Sequence, residues 1–84
     1  MTRLWQQGQE IKVITDSEGV PISFQWNGRV HHILLISKHW RVHDGWWRRE
    51  VWRHYFKLVT DSGLLCVIYH DLLKGSWYLQ RIYD

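Results

Sequence analysis

Four turn clusters ending in glycine cut this chain into short segments, and no helical stripe longer than about two turns fits between them. Glu10 to Thr15 alternates, is rich in β-branched residues, and runs into Asp16-Ser-Glu-Gly19. Val20 to Trp26 sets apolar Val20, Ile22, Phe24 and Trp26 against Pro21, Ser23 and Gln25, the period of a half-buried strand. Asn27-Gly28 follows. Both residues tolerate the positive φ of a type I′ turn, so a two-residue hairpin there sets Trp26 opposite Arg29, Phe24 opposite His31 and Ile22 opposite Ile33. Pro21 has no N–H to give a ladder, which suits the start of a strand or an edge.

The returning strand, Arg29 to Ser37, carries Ile33-Leu-Leu-Ile36, apolar on both faces, and reads as central. Lys38 to about Glu50, with Asp44-Gly45 and the crowded Trp40, Trp46 and Trp47, reads as an irregular loop. Val51 to Thr60 is a strand with Trp52, His54, Phe56 and Leu58 on one face and Arg53, Tyr55 and Lys57 on the other. Asp61-Ser-Gly63 suits a three-residue hairpin with Gly63 left-handed, and Leu64 to Tyr69 returns. After Asp71-Leu-Leu-Lys-Gly75, the last strand, Ser76 to Tyr83, places Trp77, Leu79 and Tyr83 opposite Tyr78 and Ile82.

These segments predict a single all-β domain over residues 1–84, an antiparallel meander or partly closed barrel of about six strands, with residues 1–9 as a loosely ordered N-terminal arm. A chain of this length buries only roughly 60–65% of its unfolded surface, so its core must be dense. Seven Trp, four Tyr and two Phe supply that density, each ring burying on the order of 150–250 Å². The expected core is Phe24, Trp26, Trp52, Phe56, Leu58, Ile68, Trp77 and Leu79.

Several classes of chemistry find no support. Cys66 is the only cysteine, so no internal disulfide can form, as suits a reducing compartment. The N-terminal residues lack the apolar run of a signal peptide and no stretch approaches a membrane span, which sets the expectation of a cytoplasmic protein away from membranes. His31 and His32 point to opposite faces of a strand. His39, His43, Asp44 and His54 could meet only if the loop coiled, and no repeated ligand spacing marks a zinc site. Neither His70-Asp71 nor His43-Asp44 comes with a Gly-flanked nucleophile, and Cys66 sits in an apolar run. The expectation is therefore no enzyme, no metal and no cofactor.

The charge is uneven. The chain carries a net +3, and between Lys38 and Lys57 stand Lys38, Arg41, Arg48, Arg49, Arg53 and Lys57 against Asp44 and Glu50. These cations interleave with Trp40, Trp46, Trp47, Trp52, Tyr55 and Phe56. Rings that stack on unpaired bases beside cations that hold phosphates suit single-stranded nucleic acid. Trp, Tyr and Arg are equally the anchors of protein interfaces, or the rings can be core with the cations snorkelling over them. The candidate binding residues are Arg48, Arg49, Arg53, Tyr55, Lys57 and Tyr69, the last because the Asp61–Gly63 hairpin sets Tyr55 beside Tyr69 and Lys57 beside Val67. Single-stranded DNA, a protein partner and a second copy of the chain all stay open as partners.

From Trp40 onward the chain resembles a bacterial family of small domains of unknown function. The resembling residues are Trp40-Arg-Val, Gly45-Trp-Trp-Arg48, Arg53-His-Tyr-Phe-Lys-Leu58, Asp61-Ser-Gly63, Tyr69-His-Asp-Leu72 and Gly75 to Asp84, with Gly28-Arg29 before them. Members are free-standing at about this size, and a similar segment is appended to the C-terminus of Y-family, polymerase-like proteins of bacterial mutagenesis cassettes. The resemblance implies a place near translesion DNA synthesis and a polymerase-like partner, and carries no catalytic residue across. The chain departs from the pattern in the central loop, where His43 and Arg49-Glu50 replace the expected acidic or Pro residues.

Overall fold

The computed structural model describes the backbone at residues 3–46 and 49–83, and the side chains there except at 3, 5–7, 46 and 49. Six strands follow in order: β1 (Arg3–Thr15), β2 (Pro21–Trp26), β3 (Arg29–Trp46), β4 (Arg49–Thr60), β5 (Leu65–Asp71) and β6 (Trp77–Tyr83). Each pairs antiparallel with the next, and β1 pairs with β6, so the meander closes into an irregular barrel. Residues 3–9, set apart above as an arm, lie within β1. No helix occurs among the described residues, and so none long and apolar enough to cross a membrane.

Local chemistry explains the turns. Asn27 (φ 55°) and Gly28 (φ 75°) form the type I′ connection, and the register that follows sets Trp26 opposite Arg29 and Phe24 opposite His31. Gly63 is left-handed at φ 81°, where the Gly63 N–H donates to the Thr60 carbonyl (3.0 Å). That turn fixes β4 against β5 as Tyr55 opposite Tyr69 and Lys57 opposite Val67.

The barrel interior holds Ile11, Phe24, Phe56, Leu58, Cys66, Ile68, Trp77, Leu79 and Ile82. Six of the eight expected core residues are buried there; Trp26 is half-buried at its edge, and Trp52 is 37% exposed. Cys66 is fully buried, and burial pushes its thiol up to about 12. A water-soluble alkylating reagent should therefore leave the native thiol intact and label it only under denaturing conditions, which mass spectrometry would read.

Four expectations fail, and pairing register explains each. The segment from Lys38 to Glu50 is not a loop: β3 and β4 continue as one hairpin to the pair Trp46–Arg49. A pairing partner outweighs the local turn character of Asp44-Gly45. In β2, the pairing steps from Ile14–Ser23 to Thr15–Pro21, so Ile22 is the extra residue, and it turns outward with Val20 while Pro21 is buried. In β3, steps at Leu34 and Ser37 leave Leu34 69% exposed and Leu35 exposed beside it, in the run read as central. In β6, a step at Gln80 puts Ile82 in the core with Leu79 and sends Tyr83 outward. One extra residue reverses the face of everything beyond it.

The ring is also unequal in height. β2 pairs with β3 only as far as Ser23–His32, whereas β3 runs on to Trp46, so beyond His32 its β2-side edge has no strand partner among the described residues. The β3–β4 hairpin therefore stands past one mouth of the barrel, beside the turn that joins β1 to β2.

Candidate functional site

The outer face of β3–β6 carries two parallel cross-strand rows. The first is aromatic. Trp40, Tyr55, Tyr69 and Tyr78 are successive register partners. Trp40 lies flat on Tyr55 (5.3 Å, 3°), Tyr55 meets Tyr69 at 5.1 Å, and Tyr69 stacks on Tyr78 at 5.1 Å. With Val67 and Tyr83 they make a second apolar cluster outside the barrel.

The neighbouring row is cationic. Lys38 sits opposite Lys57, Lys57 opposite Val67, and Val67 opposite Arg81. The Lys38 ammonium lies 5.4 Å from the Trp40 ring, and Lys57 Nζ and the Arg81 guanidinium lie 5.2 and 5.6 Å from the ring of Tyr83. On the far side of the aromatic row, Arg53 covers Tyr69 at 4.5 Å and its Nη1 donates to Tyr55 Oη at 3.2 Å. Its Nε is buried without a hydrogen-bond partner among the described residues. Burial alone would pull the Arg53 pKa down, but the bond to Tyr55 and the nearby Tyr69 and Asp71 oxygens raise it overall, so this cation is firmly held. Burial pushes the Tyr69 phenol above the usual range against the opposing pull of Arg53.

The candidate residues thus fall into place unevenly. Arg53, Tyr55, Lys57 and Tyr69 come together on one face. Arg48 lies outside the described residues, and of Arg49, which opens β4, only the backbone is described. The two phenol rings do not offer an open surface on which bases could stack. Tyr55 is 8% and Tyr69 1% exposed; Trp40 stacks on Tyr55, and Arg53 and the Gly8 backbone cover Tyr69, so no base can lie on either phenol. The two phenols hold Arg53 in place instead. Sequence reasoning missed Arg81, and left Lys38 in a loop. The link from Lys57 through Val67 to Arg81 needed the β5–β6 register, which the step at Gln80 conceals.

A closed six-stranded antiparallel barrel with a cation row beside an aromatic row defines a small β-barrel domain with one cationic face. The chain belongs to the family described as Domain of unknown function (DUF6504), which it matches over residues 5–84. No curated protein and no solved structure matches it.

Proposed function

We propose that the domain is a non-catalytic binding module of DNA replication or repair that holds single-stranded DNA along Lys38, Lys57 and Arg81. The observation that carries this reading is the direct pairing of Lys38 with Lys57 in the β3–β4 ladder. Like charges facing each other across a strand pair are destabilising, so a surface shaped by stability alone would avoid them. A phosphate chain removes that cost. The setting in translesion synthesis, where a polymerase-like protein is the other candidate partner, rests on the family resemblance and not on geometry.

Because the central rings are buried, affinity should come from phosphate contacts more than from stacking. Titration of a fluorescent single-stranded oligonucleotide should give a slope of log affinity against log salt of roughly −2, as three phosphate contacts imply. Changing Lys38, Lys57 and Arg81 to Ala together should weaken binding about tenfold or more at low salt and bring that slope close to zero. Absent binding at low salt, or an unchanged slope in the triple variant, would remove this reading.

A second reading is a protein-interaction or dimerisation surface with no nucleic-acid contact. It is favoured by exposed Ile14, Ile22, Leu34 and Leu35 on the side of the barrel formed by β1–β3. Grouped apolar side chains of this kind mark contact surfaces. A partner held there would bind with little response to salt.

A further inference from the structure

A second polar site lies on the opposite face of the same strands, at the barrel mouth beside the projecting hairpin. An open cleft of about 530 Å³ is lined there by His39 and Arg41 of β3, His54 of β4 and His70 of β5, with Glu18 from the β1–β2 turn. Asp16 fixes that turn: its Oδ1 accepts from the Glu18 N–H (2.8 Å) and the Val20 N–H (2.9 Å). The walls are aromatic. His54 packs on Phe56 at 4.2 Å, and His70 lies flat on Trp77 at 4.4 Å and 3°.

The central feature is a pair of imidazoles. His39 Nδ1 and His54 Nε2 stand 3.1 Å apart, hydrogen-bonding distance, so one nitrogen donates and the other accepts. In the neutral pair only one of the two remaining ring nitrogens carries a proton. Adding one proton to the pair keeps the internal bond, makes both remaining nitrogens donors and leaves a single positive charge beside the Arg41 guanidinium. We propose that this mouth is a binding site for a phosphoryl-type oxyanion, which brings a proton with it onto the His39–His54 pair.

The surroundings disfavour that proton in the free chain. Burial, then Arg41, His39 and His70, lower the His54 pKa from its ordinary 6.5, so the folded chain resists protonation at this point. The sign follows: stability contributed by neutral His54 is present above pH 6.5 and is lost as pH falls below it. An oxyanion reverses the balance by offsetting the positive field of Arg41. Glu18 is the one carboxylate among the described lining residues and opposes it.

Sulfate is the probe that separates the terms, since its own charge does not change between pH 6 and pH 7.5. Isothermal titration should show sulfate binding the full chain about fivefold or more tighter at pH 6.0 than at pH 7.5. His54→Gln keeps a donor but cannot titrate, and should reduce that ratio to below about twofold. Arg41→Ala should weaken binding about tenfold at both pH values, and Glu18→Gln should strengthen it. Arg41 and Glu18 are exposed, so these two variants carry the test if His54→Gln fails to fold. A 5′-phosphorylated dinucleotide that binds more tightly than inorganic phosphate identifies a nucleic-acid end as the source; equal affinity identifies the free anion. Sulfate affinity that is flat with pH, or unchanged in Arg41→Ala, overturns the site. So does loss of sulfate binding in the Lys38, Lys57 and Arg81 triple variant, which would move the ion to the outer face. That variant leaves the cleft intact, so failure of the nucleic-acid reading alone would not touch this result.

Discussion

Trp77→Ala should cost about 3–5 kcal/mol of unfolding free energy, whereas Trp52→Ala should cost no more than about 1.5 kcal/mol. Both residues occupy apolar-looking positions in alternating strands, but only one is enclosed. Trp77 is buried in the barrel core, 5.7 Å from Phe56 and flat against His70. Its removal leaves a cavity that the closed sheet cannot collapse around. Trp52 stands on the projecting hairpin, 37% exposed, with the His43 ring stacked on it at 3.7 Å. Its removal loses mostly that contact. For a domain of this length the first variant should melt roughly 12 °C or more below the parent. Thermal melts followed by circular dichroism check the difference, and equal losses for the two variants would mean that the hairpin folds back over Trp52.

The second large effect is expected at Gly8. The β1–β6 register steps from Leu4–Arg81 to Gln9–Leu79, so β1 bulges away from β6 between them. Gly8 lies in that bulge at φ +80°, against the second apolar cluster. A Cβ there would stand 2.8 Å from Tyr78 Cβ and 3.1 Å from the Tyr69 ring. Gly8→Ala combines left-handed strain, about 1–2 kcal/mol, with overpacking of a filled site, about 1–3 kcal/mol. A loss of roughly 2–5 kcal/mol in urea unfolding should follow. Gly63→Ala provides the control, because that residue is also left-handed but nothing lies within 4 Å of its would-be Cβ. It should show the strain alone. Equal effects at the two positions would mean that β1 does not rest on Tyr69.

What could be read from the residues, and what could not, divides along one line. Asn27-Gly28 and Asp61–Gly63 each specify a turn by its backbone demands, and the pairs next to them, Phe24–His31 and Tyr55–Tyr69, follow by counting. Counting fails at the first extra residue. Ile22, Leu34, Ser37 and Gln80 bear no side-chain signature of a bulge, yet each changes which face is inside. The hairpin beyond Ser37 was hidden for another reason: its strands are stabilised by each other, not by local preference. The candidate site suffered from both. Arg53, Tyr55, Lys57 and Tyr69 share a face as counted, but the burial of Tyr69 depends on β1 passing over it at Gly8, which no turn signal announces. The cleft could have been foreseen in part. The register that pairs Tyr55 with Tyr69 also sets His54 opposite His70, while His39 needed the hairpin.

The uneven height of the barrel has a consequence for how copies of this chain meet. A closed sheet normally offers no free strand edge, but β3 beyond His32 has one with no strand partner among the described residues, and a flat open edge is a template for adding another chain. Two things blunt it. The steps at Leu34 and Ser37 interrupt the regular array of N–H and C=O groups, and Lys38 and Arg41 place positive charge along the stretch that follows. Two such edges brought together antiparallel would set cations near cations. Lys38 would then serve twice, once toward an anionic chain and once as a barrier against fibrillar stacking. Substitutions that neutralise this stretch therefore risk insolubility even where they leave the barrel core untouched.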